Sequence, residues 1–403
     1  MLELLVARGG ALLGKFALTL YLAHAAGLDV LGWYGLIVGS SLALPVLVRG
    51  GILNALLREI AVANGDAIRS ELGRYLSFIA MAYGALALIA LVISLAGVVE
   101  LPIALTILWI IYCEQCAADT TQILFGLHKP RVAAWLTFAH SLAWTIAYML
   151  ISSTDTTWRT MDGLLIVWAA GGAVTIAALW HSIRGQLRCS PSAEVLMWGL
   201  RWISASRAIF LHEILNIVRD FGDRFLISAL MSIEAAGVYV FFLQFASAAS
   251  TLVNSAIVFA RRSALVSAAQ KGAATFSSAY KALYTRALGL MAILLILCVV
   301  GFLGLDRVIL PEAISAHFVE GCWILAAGWL QMALTLASLG LYAWRRDRMR
   351  LTATSAVAIA TPALAFSLVP QHGLIGMAWA NIGASFIGLA IICLSCRGFA
   401  SSR

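Results

Sequence analysis

The sequence predicts an all-α membrane protein of about twelve transmembrane helices, arranged as two six-helix lobes related by an internal parallel repeat. Three observations lead there. Of 403 residues, 62% are hydrophobic and only 11% charged. The apolar residues fall in continuous runs of about 20, the length a helix needs to cross the hydrocarbon core. Lysine and arginine collect in every second connection between those runs.

The composition excludes several classes at once. A soluble domain carries about a quarter charged residues and about half apolar ones, so an ordinary cytosolic enzyme, a disordered chain and a disulfide scaffold are all ruled out. The net charge of +8 would suggest nucleic acid in a soluble protein. In a membrane protein it marks basic cytoplasmic loops, and no nucleic-acid partner is expected. The seven cysteines lie mostly inside apolar runs; Cys113/Cys116 and Cys393/Cys396 have C-x-x-C spacing, but no second pair or histidine cluster completes a zinc site. They are read as helix-packing residues, with no metal and no cofactor. The first apolar run is long, contains charges and lacks a small-residue cleavage site, so no cleavable signal peptide is expected.

Taken in order, the expected spans are 5–23, 33–54, 75–98, 102–125, 132–151, 162–181, 208–231, 237–259, 284–304, 320–343, 352–369 and 373–394. Helices are preferred to strands because the runs are continuous rather than alternating, and a lipid-exposed backbone must satisfy its own hydrogen bonds. Pro45 and Pro362 each remove a backbone hydrogen bond and are read as kinks in helices two and eleven. One set of connections, together with the C-terminal tail, holds 20 of the 27 basic residues; the opposite set holds Arg159 and Arg307 with eight acids, among them Asp29, Glu100, Asp155 and Glu234. This asymmetry predicts both termini in the cytoplasm and an even number of spans.

The longest break near the midpoint runs from 182 to 207. Within it Ala193 to Ile203, with Trp198 and Trp202 beside Arg201, has the composition of an interfacial amphipathic helix. The expected division is a six-helix lobe over 1–185, a cytoplasmic linker with that helix over 186–207, and a second six-helix lobe over 208–403. The lobes echo each other. KFALTLYLAHAAGLDVLGWYGL from Lys15 aligns with RFLISALMSIEAAGVYVFF from Arg224 across a four-residue gap, matching Asp29 with Glu234, Gly32 with Gly237 and Tyr34 with Tyr239. Because six is even, both copies run the same way through the membrane.

Ten ionisable residues fall inside the expected spans: Arg8, Lys15, Arg49, Glu114, Asp119, Glu213, Arg219, Asp220, Asp223 and Arg224. Each would cost roughly 2.5–3.5 kcal/mol facing lipid at the helix centre, so the seventh helix, with five of them, must face protein or water. On it Glu213, Asn216, Asp220 and Asp223 share one face, and Arg219/Asp223 and Asp220/Arg224 have i,i+4 spacing for bridges. Lys15 lies about 15 Å into the first helix, near the midplane. Helices one and seven hold corresponding places in the two lobes, so their polar faces are expected to meet across a central cavity. Arg8 and Arg49 have the alternative of snorkelling to the headgroups, and Glu114 and Asp119, at i,i+5, that of packing or capping.

The stretch LLVARGGALLGKFALTLYLAHAAGLDVLGWYGLIVGSSLALPVLVRGGILNALLREIAVAN resembles the opening of bacterial oligosaccharide and polysaccharide flippases of the multidrug/oligosaccharidyl-lipid/polysaccharide exporter superfamily, the O-antigen type of lipopolysaccharide biosynthesis included. The shared features are a glycine-containing first helix with a central base, the GLDVLGWYGL turn, and RGG followed by LLREIA leaving the second helix. The resemblance spans 1–75 and returns more faintly around 215–262. It implies two bundles around a V-shaped cavity in the bacterial inner membrane. The implied task is moving an undecaprenyl-diphosphate-linked oligosaccharide to the outer leaflet by alternating access. The implied partners are that lipid-linked oligosaccharide, membrane lipids, a coupling H+ or Na+, and a polysaccharide polymerase complex. The candidate ligands for diphosphate or acidic sugar are Lys15, Arg49, Arg219, Arg224 and Arg8. The candidate ion-coupling or gating acids are Glu213, Asp220, Asp223, Glu114 and Asp119.

Two other functions compete. A cation-coupled drug or metabolite exporter of the same superfamily would use those acids to bind cations. A membrane polymerase or ligase would need a sizeable extracytoplasmic or carboxylate-bearing loop, and the external breaks at 152–161 and 305–319 are short. No phosphate-binding glycine loop, nucleophile elbow or histidine metal motif is present, so no enzymatic activity is expected.

Overall fold

The computed structural model describes residues 2–60, 65–97, 99–126, 129–183, 193–305 and 312–400. Among them every regular element is a helix. α1 (Leu2–Tyr21) passes through a π-helical turn, Leu22–Ala26, into α2 (Leu28–Arg49). α2 stops at Gly50 and Gly51, whose φ angles of +54° and +75° lie in the left-handed region open to glycine. The short α3 (Ile52–Ile60) then turns away. The second span thus begins and ends about five residues earlier than the apolar run suggests, because the glycine pair ends the helix before the hydrophobicity fades.

α4 (Gly65–Leu95), α5 (Leu101–Gly126), α6 (Pro130–Thr154) and α7 (Met161–Ile183) follow in the expected order. Pro130 occupies the first turn of α6, where no backbone N–H is needed. α8 (Ala193–Leu230) joins the segment read as a separate interfacial helix to the seventh span in one helix of 38 residues. No proline interrupts it. Its first part is held by Trp198 Nε1 donating to Glu71 (2.8 Å) and Ser206 Oγ donating to the Gly50 carbonyl (2.9 Å). Residues 186–192 of the expected linker, the two residues before them, and Asp306 and Arg307 lie outside the described residues.

α9 (Ile233–Val253) opens with Ser232 accepting from the Ala235 N–H, then continues through a π-helical turn into α10 (Phe259–Lys271). α11 (Ala273–Leu305), α12 (Glu312–Ser315), α13 (Phe318–Ala343) and α14 (Asp347–Ala400) complete the chain. α14 breaks at Gly373 (φ 57°), the first residue of the expected twelfth span. Nine of the described helices are long and apolar enough to cross a membrane. With α14 counted as two, and with α1 and α8 added, the spans number the expected twelve. α8 falls outside the apolar set because it carries the charges.

The helices form two compact units: Met1–Tyr21 with Leu36–Ile217, and Leu22–Gly35 with Val218–Arg403. In the first, α1 lies against α6, where Gly10 and Gly14 leave room for Phe138 and Leu142. Ile52, Leu53, Leu56, Tyr75, Phe78 and Ile79 form the core joining α3 and α4. In the second unit the start of α2 crosses α9 at Gly32 and Gly237. A Cβ on Gly237 would collide with the Leu28 carbonyl, and one on Gly32 with that of Ile233. These glycines are the pair matched by the internal repeat, so equivalent positions of the two copies make the crossing. Side chains that would face water in a soluble protein are apolar along α4 and α11: Leu88, Val92 and Leu95, then Ile296, Leu297 and Leu303, are exposed. α9 and α13 are largely buried instead.

Candidate substrate and ion sites

The first unit contains a buried polar cluster built on α5. Gln115 and Asp119 stand one turn apart, and Gln115 Nε2 donates to Asp119 Oδ2 at 3.2 Å. α4 supplies two phenols: Tyr75 donates to Asp119 Oδ2 (2.5 Å) and Tyr83 to Gln115 Oε1 (2.7 Å). Arg49, at the end of α2, donates through Nη1 to Asp119 Oδ1 at 3.2 Å. Its Nε lies 4.0 Å from Glu213 of α8. Asp119 is 2% exposed, and a carboxylate so placed needs these donors to remain charged. Arg49 is therefore held by carboxylates inside the fold rather than snorkelling.

Glu114, five residues before Asp119, points into a different cluster. Its Oε1 accepts from Trp168 Nε1 of α7 (2.8 Å) and lies 3.2 Å from His140 Nε2 of α6. The Trp168 indole stacks on Trp144 with centroids 4.7 Å apart, which fixes the donor. Lys15 of α1 is half-buried and within electrostatic reach of Glu114. Among the described residues Lys15 forms no ion pair within 4 Å.

The second unit carries its own buried carboxylate, Asp223 of α8, 1% exposed. Tyr239 of α9 donates to Asp223 Oδ2 at 2.5 Å, Asn381 Nδ2 lies 3.5 Å from the same oxygen, and the Arg224 backbone N–H donates to Oδ1 at 2.8 Å. Asn381 also donates to the Tyr239 hydroxyl (3.1 Å). The Arg224 guanidinium turns to the Gly35 carbonyl (3.4 Å). Arg219 grips its neighbour Asp220 through two bonds of 2.7 and 3.0 Å. The bridges expected at i,i+4, Arg219/Asp223 and Asp220/Arg224, are not formed. Tyr239 and Asn381 outcompete Arg219 for Asp223, and Asp220 is taken by the adjacent Arg219.

Arg219, Asp220, Asp223 and Arg224 border a cavity of about 320 Å³ within the second unit. Its other walls mix polar side chains, Ser247, Ser250, Thr251, Asn254, Gln331 and Thr335, with apolar ones such as Phe221, Leu243 and Met332. The structure thus gathers four of the five helix-seven charges at one cavity and leaves Glu213 beside Arg49. The side chain of Arg8 lies outside what is described. Sequence reasoning missed Tyr75, Tyr83, Gln115, His140, Trp168, Tyr239 and Asn381. Two signals were available: a histidine within the apolar run at 132–151, and Tyr239, already matched to Tyr34 by the repeat.

No family model matches the sequence, and no curated protein matches it. Solved structures do. A lipid II flippase MurJ in an inward closed conformation superposes with a TM-score of 0.76 at 13% identity, covering 98% of this chain and 88% of that one. An inward-facing multidrug-resistance MATE family transporter of the MOP superfamily gives 0.73 at 14% identity over 97% of this chain and 96% of that one. An outward-facing structure of the same description gives 0.56 at 14% identity over 100% and 95%. The chain has the twelve-helix, two-lobe fold of these membrane transporters. The particular fold is that of MurJ and the MATE proteins.

Proposed function

We propose that this protein is a flippase, moving an undecaprenyl-diphosphate-linked oligosaccharide from the cytoplasmic to the outer leaflet of a bacterial inner membrane by alternating access. The observation that carries the reading is the lining of the cavity in the second unit. Hydroxyls and carboxamides from Ser247, Ser250, Asn254, Gln331 and Thr335 sit beside the paired Arg219 and Asp220. Such a wall offers donors and acceptors to a glycan's hydroxyls, and a guanidinium can reach a phosphate. The buried Asp119 and Asp223 and the exposed Asp220 are each matched by arginine or neutral donors, which leaves little unmatched negative charge for a cationic drug. Lys15, without an ion pair among the described residues, is the cation available to the diphosphate, joined by Arg49, Arg219, Arg224 and Arg8. Glu213, Asp220, Asp223, Glu114 and Asp119 are the acids from which coupling groups are drawn. Both termini lie in the cytoplasm on this reading, and the two lobes divide at 186–207.

A second reading, a cation-coupled drug or metabolite exporter, is favoured by the near-equal likeness to the MATE fold. Reconstitution separates the two. Liposomes containing the protein should expose a fluorescent polyprenyl-diphosphate oligosaccharide to an external quencher, with at least a tenfold loss of rate in Lys15→Ala. Transport of a cationic dye with no movement of the glycolipid would overturn the proposal in favour of the exporter.

A further inference from the structure

The geometry points to a proton-binding site at Glu114 and His140. Thr175 of α7 places its hydroxyl 3.0 Å from the Gly171 carbonyl, to which it donates. A hydroxyl has one proton, so towards His140 Nδ1, 3.1 Å away, Thr175 acts as acceptor. With the Thr175 proton on the Gly171 carbonyl, the imidazole carries its proton on Nδ1. Nε2 is left facing Glu114 Oε1 at 3.2 Å. A bare ring nitrogen and a carboxylate oxygen are both acceptors, and they attract one another only with a proton between them.

The pair is built to hold that proton and to release it. The Trp168 indole fixes Glu114 from the other side. His140 is 6% exposed and Glu114 21% exposed, so the carboxylate is the less covered member of the pair. The charged group facing it from α1 is Lys15. α5 itself contributes Cys113, Cys116 and, a turn further on, Asp119, while α4 brings Tyr83 to Cys116 and Asp119. α7 presents the neutral donor Trp168 and the Thr175 hydroxyl, which accepts from Nδ1.

The balance is one proton. When it is bound, the Nε2–H of an imidazolium donates to the Glu114 carboxylate, the pair is neutral overall, and the charge of Lys15 is unmatched. When it leaves to solvent, His140 is neutral, Glu114 keeps its negative charge, and that charge balances Lys15. Proton binding at the pair and anion binding at Lys15 therefore favour each other, reciprocally. The role of Lys15 towards a diphosphate rests on the function proposed above; the proton site does not.

The test needs no substrate. The full chain, labelled with 15N-histidine, is placed in lipid nanodiscs and titrated across about pH 5 to 8, with His140→Gln identifying the resonances. Nδ1 of His140 should stay protonated throughout, while Nε2 gains and loses a proton. In Glu114→Gln, the new carboxamide donates to Nε2, which should remain without a proton over the whole range. Thr175→Val, nearly isosteric, should release the fixed tautomer and shift both ring signals, and it serves if Glu114→Gln does not fold. A neutral ring protonated at Nε2 in the wild type would overturn the site. So would an Nε2 signal that does not change with pH, or spectra that neither variant alters. Should the pair titrate as described while the glycolipid stays still in liposomes, the proton site stands and the substrate assignment falls.

Discussion

The two units answer the same problem, a carboxylate buried within a membrane-spanning bundle, with nearly the same parts. Asp119 and Asp223 each take a phenol at 2.5 Å and a carboxamide, and each has an arginine close by. The arginines are used differently. Arg49 comes from another helix and pairs with Asp119 through its side chain. Arg224 follows Asp223 in the chain, hydrogen-bonds to it through its backbone N–H alone, and sends its guanidinium to the Gly35 carbonyl, from where its charge still acts on the carboxylate. The first cluster is a closed ion pair between helices. The second holds its carboxylate with neutral donors at the edge of a cavity, and that is where a mobile charge or a ligand has room to act.

The strongest way to break the comparison is to remove Asp119. Asp119→Ala leaves Arg49 with only its longer contact to Glu213 and should cost about 3–5 kcal/mol, read as unfolding of the purified protein in detergent. Adding Arg49→Met should restore part of that loss. If the double variant is no better than the single one, the closed-pair description fails. Next come the phenols. Tyr239→Phe should cost about 1.5–3 kcal/mol, the range for a hydrogen bond to a charged group. Tyr75→Phe should cost less, because Arg49 and Gln115 still hold Asp119. A reversed order of the two would show that Asp223 leans on Arg224 after all.

A third test concerns the crossing in the second unit. Gly237→Ala should destabilise by about 1–3 kcal/mol through overpacking. Gly289→Ala, which meets nothing within 4 Å on α11, should be neutral or gain up to about 1 kcal/mol of helix propensity. The smallest effect lies at the end of α6. The Asp155 carboxyl is held below its usual range by the N–H and hydroxyl of Thr157. Its contribution is present above the ordinary aspartate range and lost as pH falls through the lowered value. Amide exchange at Thr157 should therefore quicken only in strong acid, and at every pH in Asp155→Ala.

The spans were legible because lipid imposes a simple rule on composition; the repeat matched Gly32 with Gly237 but did not indicate that the two would meet. Boundaries slipped where local backbone chemistry overrode hydrophobicity, as at Gly50–Gly51 and in the unbroken α8. The site was legible only as a set of charges. Spacing along α8 offered Arg219/Asp223 and Asp220/Arg224 as bridges, but it carries no information about Tyr239 and Asn381, which arrive from α9 and α14. Likewise Glu114 and Asp119 are five residues apart in sequence, yet they turn to different neighbours, His140 and Arg49. Partner choice is a tertiary property, and one helix read alone cannot supply it.

The central claim is that this chain carries lipid-linked oligosaccharide across the membrane. The most direct measurement removes the gene from its host and determines on which leaflet the lipid-linked intermediates accumulate. A build-up of complete oligosaccharide units on the cytoplasmic leaflet, relieved by the wild-type gene and not by Lys15→Ala, is the predicted result. Intermediates that reach the outer leaflet normally, or that do not accumulate at all, would contradict it.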